Sequence, residues 1–328
     1  MPVTAVFPTA PRKAGMYESF YLRAVSPDEP VGVWLRYTVD KRPEREATGS
    51  LWCTVFDARR GRPFMHKLTS ERLNAPAEAW IAIGAARFGP DRAEGECGGA
   101  SWSLGWRSSE PELAHLSAAW MYRARLPRTK LSSPAPDATF QGTVELPDGR
   151  TLQVQDWRGM VGHNWGTEHA ERWVWLHGVG FAEEDDAWLD VALGRIVLAG
   201  RMTPWVANGA MGLDGKRYRI GGLGRRGLRV SERADGCELR LPGAKGLRID
   251  ARVEIPGESA AGWRYADPGA PGAQDGTGEH EVLNCSVAAI ELDVRLPGKP
   301  EPRRLTSAHG GAYELGMRAG AEPCRAGE

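Results

Sequence analysis

The sequence predicts an all-β protein built from two antiparallel β domains in tandem. Three observations carry this prediction. Apolar and polar residues alternate at the strand period of two along most of the chain, whereas stretches with the helical period of about 3.6 are scarce. Asp-Gly, Pro-Gly and Gly-Gly dipeptides interrupt the alternation at short intervals, as turns in barrels or sandwiches do. A length of 328 residues suits two such domains better than one.

In chain order, residues 17–25, 31–39, 51–57, 79–88, 102–106, 138–146 and 150–155 read as strands of the first half, with Pro147-Asp148-Gly149 as a hairpin turn. Leu113, Leu116 and Trp120 suit one helical face, so 111–122 is expected to hold a short helix. Proline-rich 126–136 reads as a crossing loop. In the second half the strands are 173–181, 187–194, 205–213, 216–220, 228–233, 246–255, 282–296 and 304–315. Residues 260–278, rich in Gly, Pro and Asp, read as a surface loop or lid, and the chain after Gly316 is expected to fray. The junction falls near Gly166, giving domains 1–166 and 167–328.

Composition excludes several classes of function. Lys plus Arg and Asp plus Glu both number 42, so no net field recruits nucleic acid or an anionic membrane surface. Five cysteines, at 53, 97, 237, 285 and 324, contain no C-x-x-C pair, which argues for free thiols in a reducing cytoplasm. No run of about 18 apolar residues is present, so no integral membrane association is expected. Gly222-Leu223-Gly224-Arg225-Arg226-Gly227 matches a dinucleotide fingerprint but precedes a strand rather than a helix, and reads as a β-turn. Glu183-Glu184-Asp185-Asp186 reads as a solvated hairpin rather than a calcium site.

The most informative window is Gly162-His163-Asn164-Trp165-Gly166 followed by Trp173-Val174-Trp175-Leu176-His177, in a chain with 13 Trp against 7 Phe and 7 Tyr. At a period of two, Trp173, Trp175, His177, Val179 and Phe181 share one face, a wall suited to an apolar ligand or a developing cation. The spacing of His163, Glu168, His169 and His177 matches no standard metal pattern, so no metal is expected.

Asn164-Trp165-Gly166 and the Trp173-Val174-Trp175-Leu176-His177 strand resemble the central motif of the tocopherol cyclase and carotenoid 1,2-hydratase group, a lipocalin-like superfamily related to natural-product Diels–Alderases. Tyr17-Glu18-Ser19-Phe20-Tyr21 and Phe140-Gln141-Gly142-Thr143-Val144 resemble its opening strand and the strand before that motif. Two positions depart: His177 stands where the cyclases carry Gln, and Gly162 where the family places an acid. The resemblance implies two lipocalin-like β-barrels and a cyclase, isomerase or hydratase without a cofactor, acting on a hydrophobic small molecule of prenylated, terpenoid or polyketide-like kind. His177, His163 and Glu168 are then the candidate proton donors. Trp165, Trp173, Trp175, Asn164 and Phe181 are the candidate substrate contacts, the indoles stabilising positive charge. A non-catalytic carrier of the same ligands is the alternative, and a carbohydrate-binding sandwich is a weaker third.

Overall fold

Neighbouring strands pair antiparallel throughout the two large sheets, many joined by short turns and others, such as β1 with β12 and β13 with β24, far apart in sequence. The structure, a computed structural model, describes residues 3–269, 279–299 and 301–319. The first sheet contains β1 (Met16–Val25), β2 (Val31–Lys41), β3 (Thr48–Asp57), β4 (Phe64–Ser70), β5 (Leu73–Asn74), β6 (Ile81–Ile83), β7 (Ala86–Phe88), β8 (Arg92–Cys97), β9 (Ala100–Arg107), β10 (Leu113–Ala114), β11 (Thr129–Glu145) and β12 (Thr151–Gly166). Its order is β4-β3-β2-β1-β12-β11-β9-β8-β7-β6-β5, with β10 on β11.

After a five-residue connection, 167–171, come β13 (Arg172–Gly178), β14 (Trp188–Arg195), the small hairpin β15 (Val197–Leu198) and β16 (Arg201–Met202), then β17 (Val206–Leu213), β18 (Lys216–Gly221), β19 (Arg229–Arg233), β20 (Gly236–Pro242), β21 (Arg248–Glu254), β22 (Ala261–Ala266), β23 (Glu279–Arg295) and β24 (Arg303–Arg318). The second sheet runs β18-β17-β14-β13-β24-β23-β21-β20-β19, with β22 on β23, and a bridge from Ile220 to Gly243 nearly closes it. The fold is all-β, as the alternation predicts, with two lipocalin-like barrels, as the family resemblance implies.

Each barrel buries its own core. Phe20, Leu22, Val33, Leu35, Val55 and Phe140 fill the first, and Val174, Leu176, Leu189, Val191, Ile290 and Leu315 the second. Cys53, Cys97, Cys237 and Cys285 are buried free thiols. No helix among the described residues is long and apolar enough to cross a membrane.

Five expectations change. Segment 79–88 is two short strands, because Gly84 at φ 61° turns the chain between them. Segment 126–136 is largely the start of β11, where pairing with β12 shifts register around Pro134 and Pro136; prolines lack the ladder donor and settle at such irregularities. Segment 111–122 yields only β10 and a 3-10 turn, Ala119–Tyr122, with Trp120 exposed. Segment 260–278 starts with β22, which pairs along β23; residues 270–278 lie outside the described residues. β24 runs past Gly316 to Arg318, against the fraying expected there, and 320–328 likewise lie outside the described residues.

Candidate functional site

A strand shows two faces, and in β1, β2, β3 and β12 both are covered: one by the barrel's own core, the other by the second barrel. The second face forms rows fixed by register. Tyr21 pairs with Arg36 on one side and Gly162 on the other, and Arg36 pairs with Trp52, so Trp52, Arg36, Tyr21 and Gly162 make one continuous row. From the other barrel, Trp173, Trp175 and His177 of β13 look back at this face, beside Glu314 and Ala312 of β24 and Asp190 of β14. The predicted Trp and His wall thus lies on the outside of its barrel, in the seam between the two barrels. Val174 and Leu176 point into the core instead.

Phe181 does not belong to that wall. β13 ends at Gly178, Gly180 takes φ 63°, and the chain turns so that Phe181 and Val179 enter the second core. Trp165 and His163 alternate the other way along β12 and face the interior of the first barrel. There His163 stacks on Phe20 (4.2 Å) and meets Glu18 (Nε2 to Oε1 2.7 Å), whose carboxylate also accepts the N–H groups of Val6 and Phe7. Asn164 is half-buried in the seam, and Glu168 sits on the connection between barrels, bound to Arg128. His177, His163 and Glu168 are therefore not brought together.

The seam holds buried polar groups in linked sets. Arg23 donates to His177 Nδ1 (3.1 Å) and to the carbonyls of Ser286 and Gly310 (2.9 Å each). With Nδ1 accepting, the His177 proton sits on Nε2 and is donated to the Pro136 carbonyl (3.0 Å). Burial, then the charge of Arg23, lowers the His177 pKa to about 3, so the ring is neutral. Burial likewise pushes Arg23 down to about 9. Asp190 accepts from Ser133 (2.5 Å) and Trp175 Nε1 (3.0 Å) and lies 3.2 Å from His115 Nε2. Its burial works to raise its pKa, but His115, His177 and Ser133 outweigh it and hold the carboxyl below its usual range. Glu314 accepts from Trp173 Nε1 (2.9 Å), the Tyr265 hydroxyl (3.1 Å) and Asn284 (3.3 Å), all neutral donors. Met160, Trp175 and Ala312, with Tyr21 and Ala192 against them, form the apolar part of the seam.

At one end the seam opens into a cleft of about 140 Å³ lined by Tyr17, Arg36, Ser50, Trp52, Lys67 and Tyr265, among others. Its character is polar and charged rather than apolar, with Glu18 and Asp40 also in the lining. Arg36 is buried, donates to Ser19 Oγ (2.7 Å) and lies 4.0 Å above the Tyr265 ring; among the described residues no carboxylate comes within ion-pair distance of it. Lys67, at the exposed rim, sits 4.0 Å over Trp52. A larger depression of about 270 Å³ around Arg107, Ser108 and Asp137 lies on the first barrel's surface, and its carboxylate is already paired with Arg158 (2.7 Å).

Gly162 has a geometric reason. A Cβ there would stand 2.1 Å from Tyr21 Cζ and 2.5 Å from the Tyr21 hydroxyl, so the phenol fills the space of the acid found in the resembling family. Tyr21 makes no hydrogen bond among the described residues, and burial with the nearby charges of Asp190 and Glu314 raises its pKa far above the usual phenol value. Gly162→Asp is expected to displace this ring and cost about 1–3 kcal/mol. An unchanged thermal midpoint for that variant would show that the ring has room to spare.

Sequence reasoning missed Arg36, Tyr265 and Glu314. A signal existed for Arg36: the second face of β2 reads Trp34, Arg36, Thr38, too aromatic for a face turned to water. Nothing local marks Glu314 or Tyr265.

No family model matches the chain. An uncharacterized protein of Mycobacterium tuberculosis, Rv0493c in strain H37Rv, is 24% identical over 324 residues, covering 98% of this chain and 92% of the relative. Among solved structures, CghA with Sch210972 superposes with a TM-score of 0.59 at 12% identity over 97% of this chain and 94% of CghA. Kievitone hydratase from Nectria haematococca gives 0.58 at 8% identity, over 97% and 93% of the two chains. An AttH protein of Nitrosomonas europaea gives 0.56 at 12%, over 96% and 97%. The likeness is one of fold, and it spans both barrels.

Proposed function

We propose that the protein is a cofactor-independent hydratase, cyclase or isomerase that acts on a small molecule held in the cleft between its barrels. The observation that carries this reading is Arg36, a buried guanidinium facing the cleft with no carboxylate in ion-pair contact among the described residues. A buried cation costs free energy unless an anion meets it. A substrate oxygen on which negative charge develops would be that anion, so the charge to be stabilised is an enolate or phenolate rather than the carbocation that an indole wall would serve. The shared fold of kievitone hydratase and CghA and the resemblance to tocopherol cyclases support the reaction class.

In this reading Tyr21, adjacent to Arg36 in register, carries the proton. A phenol that stays protonated suits donation to a strongly basic enolate carbon. Glu314, across the seam, takes the proton of an attacking water in a hydration, or the substrate proton in an isomerisation or ring closure. His177, with both ring nitrogens engaged, holds Arg23 and Pro136 in place, while His163 and Glu18 order the interior of the first barrel. The cleft is smaller than the roughly 300–1,000 Å³ usual for enclosed ligands, so an apolar body would extend past the Lys67 rim, and a carrier that swallows its ligand whole is less well supported.

The test is a panel of conjugated carbonyl and phenolic compounds incubated with the protein and followed by mass spectrometry for gain of water or isomerisation. Arg36→Met is expected to lower turnover about 10²–10³-fold, and Tyr21→Phe to do so without loss of stability, since its hydroxyl bonds nothing in the fold. Saturable binding with no conversion across the panel would favour the carrier. Conversion untouched by both variants would place the chemistry elsewhere.

A further inference from the structure

Beside the cleft, the connection between the barrels meets the turn that follows β22. Gly269 N–H donates to the Thr167 carbonyl (3.2 Å) and His169 N–H to Asp267 Oδ1 (2.8 Å). These bonds gather three side chains that the sequence keeps far apart: His169 from the connection, Asp267 from the turn and His280 from β23. One ligand atom of each lies within 4.8 Å of the others. His169 Nδ1 is 2.6 Å from Asp267 Oδ1, and His280 Nδ1 is 3.4 Å from Asp267 Oδ2; the side chains are 7%, 0% and 0% exposed. Tyr17 stacks on His169 at 3.9 Å, and Trp173 lies 5.4 Å from His169 and 5.3 Å from His280, so the surroundings are aromatic.

Hydrogen bonding within the cluster leaves it incomplete. Among the described residues, His169 Nε2 and Asp267 Oδ2 are buried with no hydrogen-bond partner, and the ring nitrogens of His280, close to the Ala170 backbone, meet none in good geometry. Orphaned polar atoms inside a protein are rare, and several in one place point to a group that meets them together. Water supplies two donors and two acceptors. A cation, by contrast, satisfies a carboxylate oxygen and imidazole lone pairs at once. Two imidazoles and one carboxylate are a donor set for borderline divalent metals, zinc or ferrous iron, and are poor for calcium or magnesium, which take oxygen.

We infer that His169, Asp267 and His280 bind one divalent transition-metal ion, which ties the inter-barrel connection to the second barrel next to the cleft. Three protein ligands leave a position for water. The inference is independent of the reaction proposed above, because binding is read with no substrate present.

The test uses the full chain, stripped with a chelator, then titrated with Zn²⁺ by calorimetry and with Co²⁺ by visible absorption. One ion per chain is expected. Affinity should fall at least about tenfold in Asp267→Asn and in His280→Gln, and stay unchanged in His66→Gln, a histidine on exposed β4. X-ray absorption of the zinc-loaded wild type should show two imidazoles and oxygen with no sulfur, a reading that holds even where a variant fails to fold. Absence of saturable binding, binding unaltered in both site variants, or a sulfur ligand would each overturn the site. Either of the first two would leave the cluster as a hydrogen-bonded relay.

Discussion

Asp190→Ala is expected to destabilise the protein by about 3–5 kcal/mol, the cost of breaking a buried charged network by removing one member. Asp190 belongs to the second barrel, whereas Ser133 and His115, which meet its carboxylate, belong to the first. Removal would strand the Trp175 and Ser133 donors in a buried seam, each at about 1–3 kcal/mol. Because the lost contacts join the barrels more than they hold either one, denaturant unfolding of the variant is expected to split into two transitions. Asp190→Asn, which keeps one acceptor for Trp175, should fall between wild type and Ala. A midpoint within error of wild type for Asp190→Ala would show that the barrels do not depend on this network.

The second expectation is acid lability well above the range in which carboxylates titrate. His177 in the fold has a pKa of about 3, against an ordinary imidazole value of about 6.5 in the unfolded chain. Between those values the unfolded state binds a proton that the folded state refuses, so stability is fully present above pH of about 6.5 and declines as pH falls toward the folded value. Each unit crossed costs about 1.4 kcal/mol. In the metal-free protein His280, lowered to about 4 by burial against the opposing charge of Asp267, acts in the same direction. Thermal midpoints measured from pH 7 to pH 4 should therefore drop steadily. His177→Gln, whose amide can accept from Arg23 and donate to Pro136, should keep the fold and roughly halve the slope. A flat profile in the wild type would mean that the seam admits the proton. The carboxylate of Asp190, held low, adds its own loss only below pH of about 3.8.

Much of the architecture was legible in the chain. Alternation placed β1, β2, β3, β13, β14 and β17 to within a few residues, and turn dipeptides found the β11–β12 hairpin at Pro147-Asp148-Gly149. The first sheet ends at Gly166 and the second starts at Arg172, where the glycine corner and the aromatic strand adjoin. The misplacements came from proline and glycine, which mark irregular backbone without saying whether a strand ends there or merely bulges.

The candidate site was half legible, and β13 shows why. Its alternation groups Trp173, Trp175 and His177 on one face and Val174 and Leu176 on the other, and both faces are apolar enough to be buried. A period of two fixes which residues share a face; it carries no information on which face turns inward when each can be covered. That choice depends on a second sheet stacking on the first, a contact between residues far apart in sequence. The same contact sets Arg36 and Tyr21 opposite Glu314 and gathers His169, Asp267 and His280, whose spacing along the chain follows no motif. The sequence by itself determined the strands, the turns and the aromatic wall, because these arise from local sterics and burial along one segment. Only the tertiary structure decided that the wall faces a seam of buried polar and charged groups, because that placement comes from the mutual packing of the two barrels.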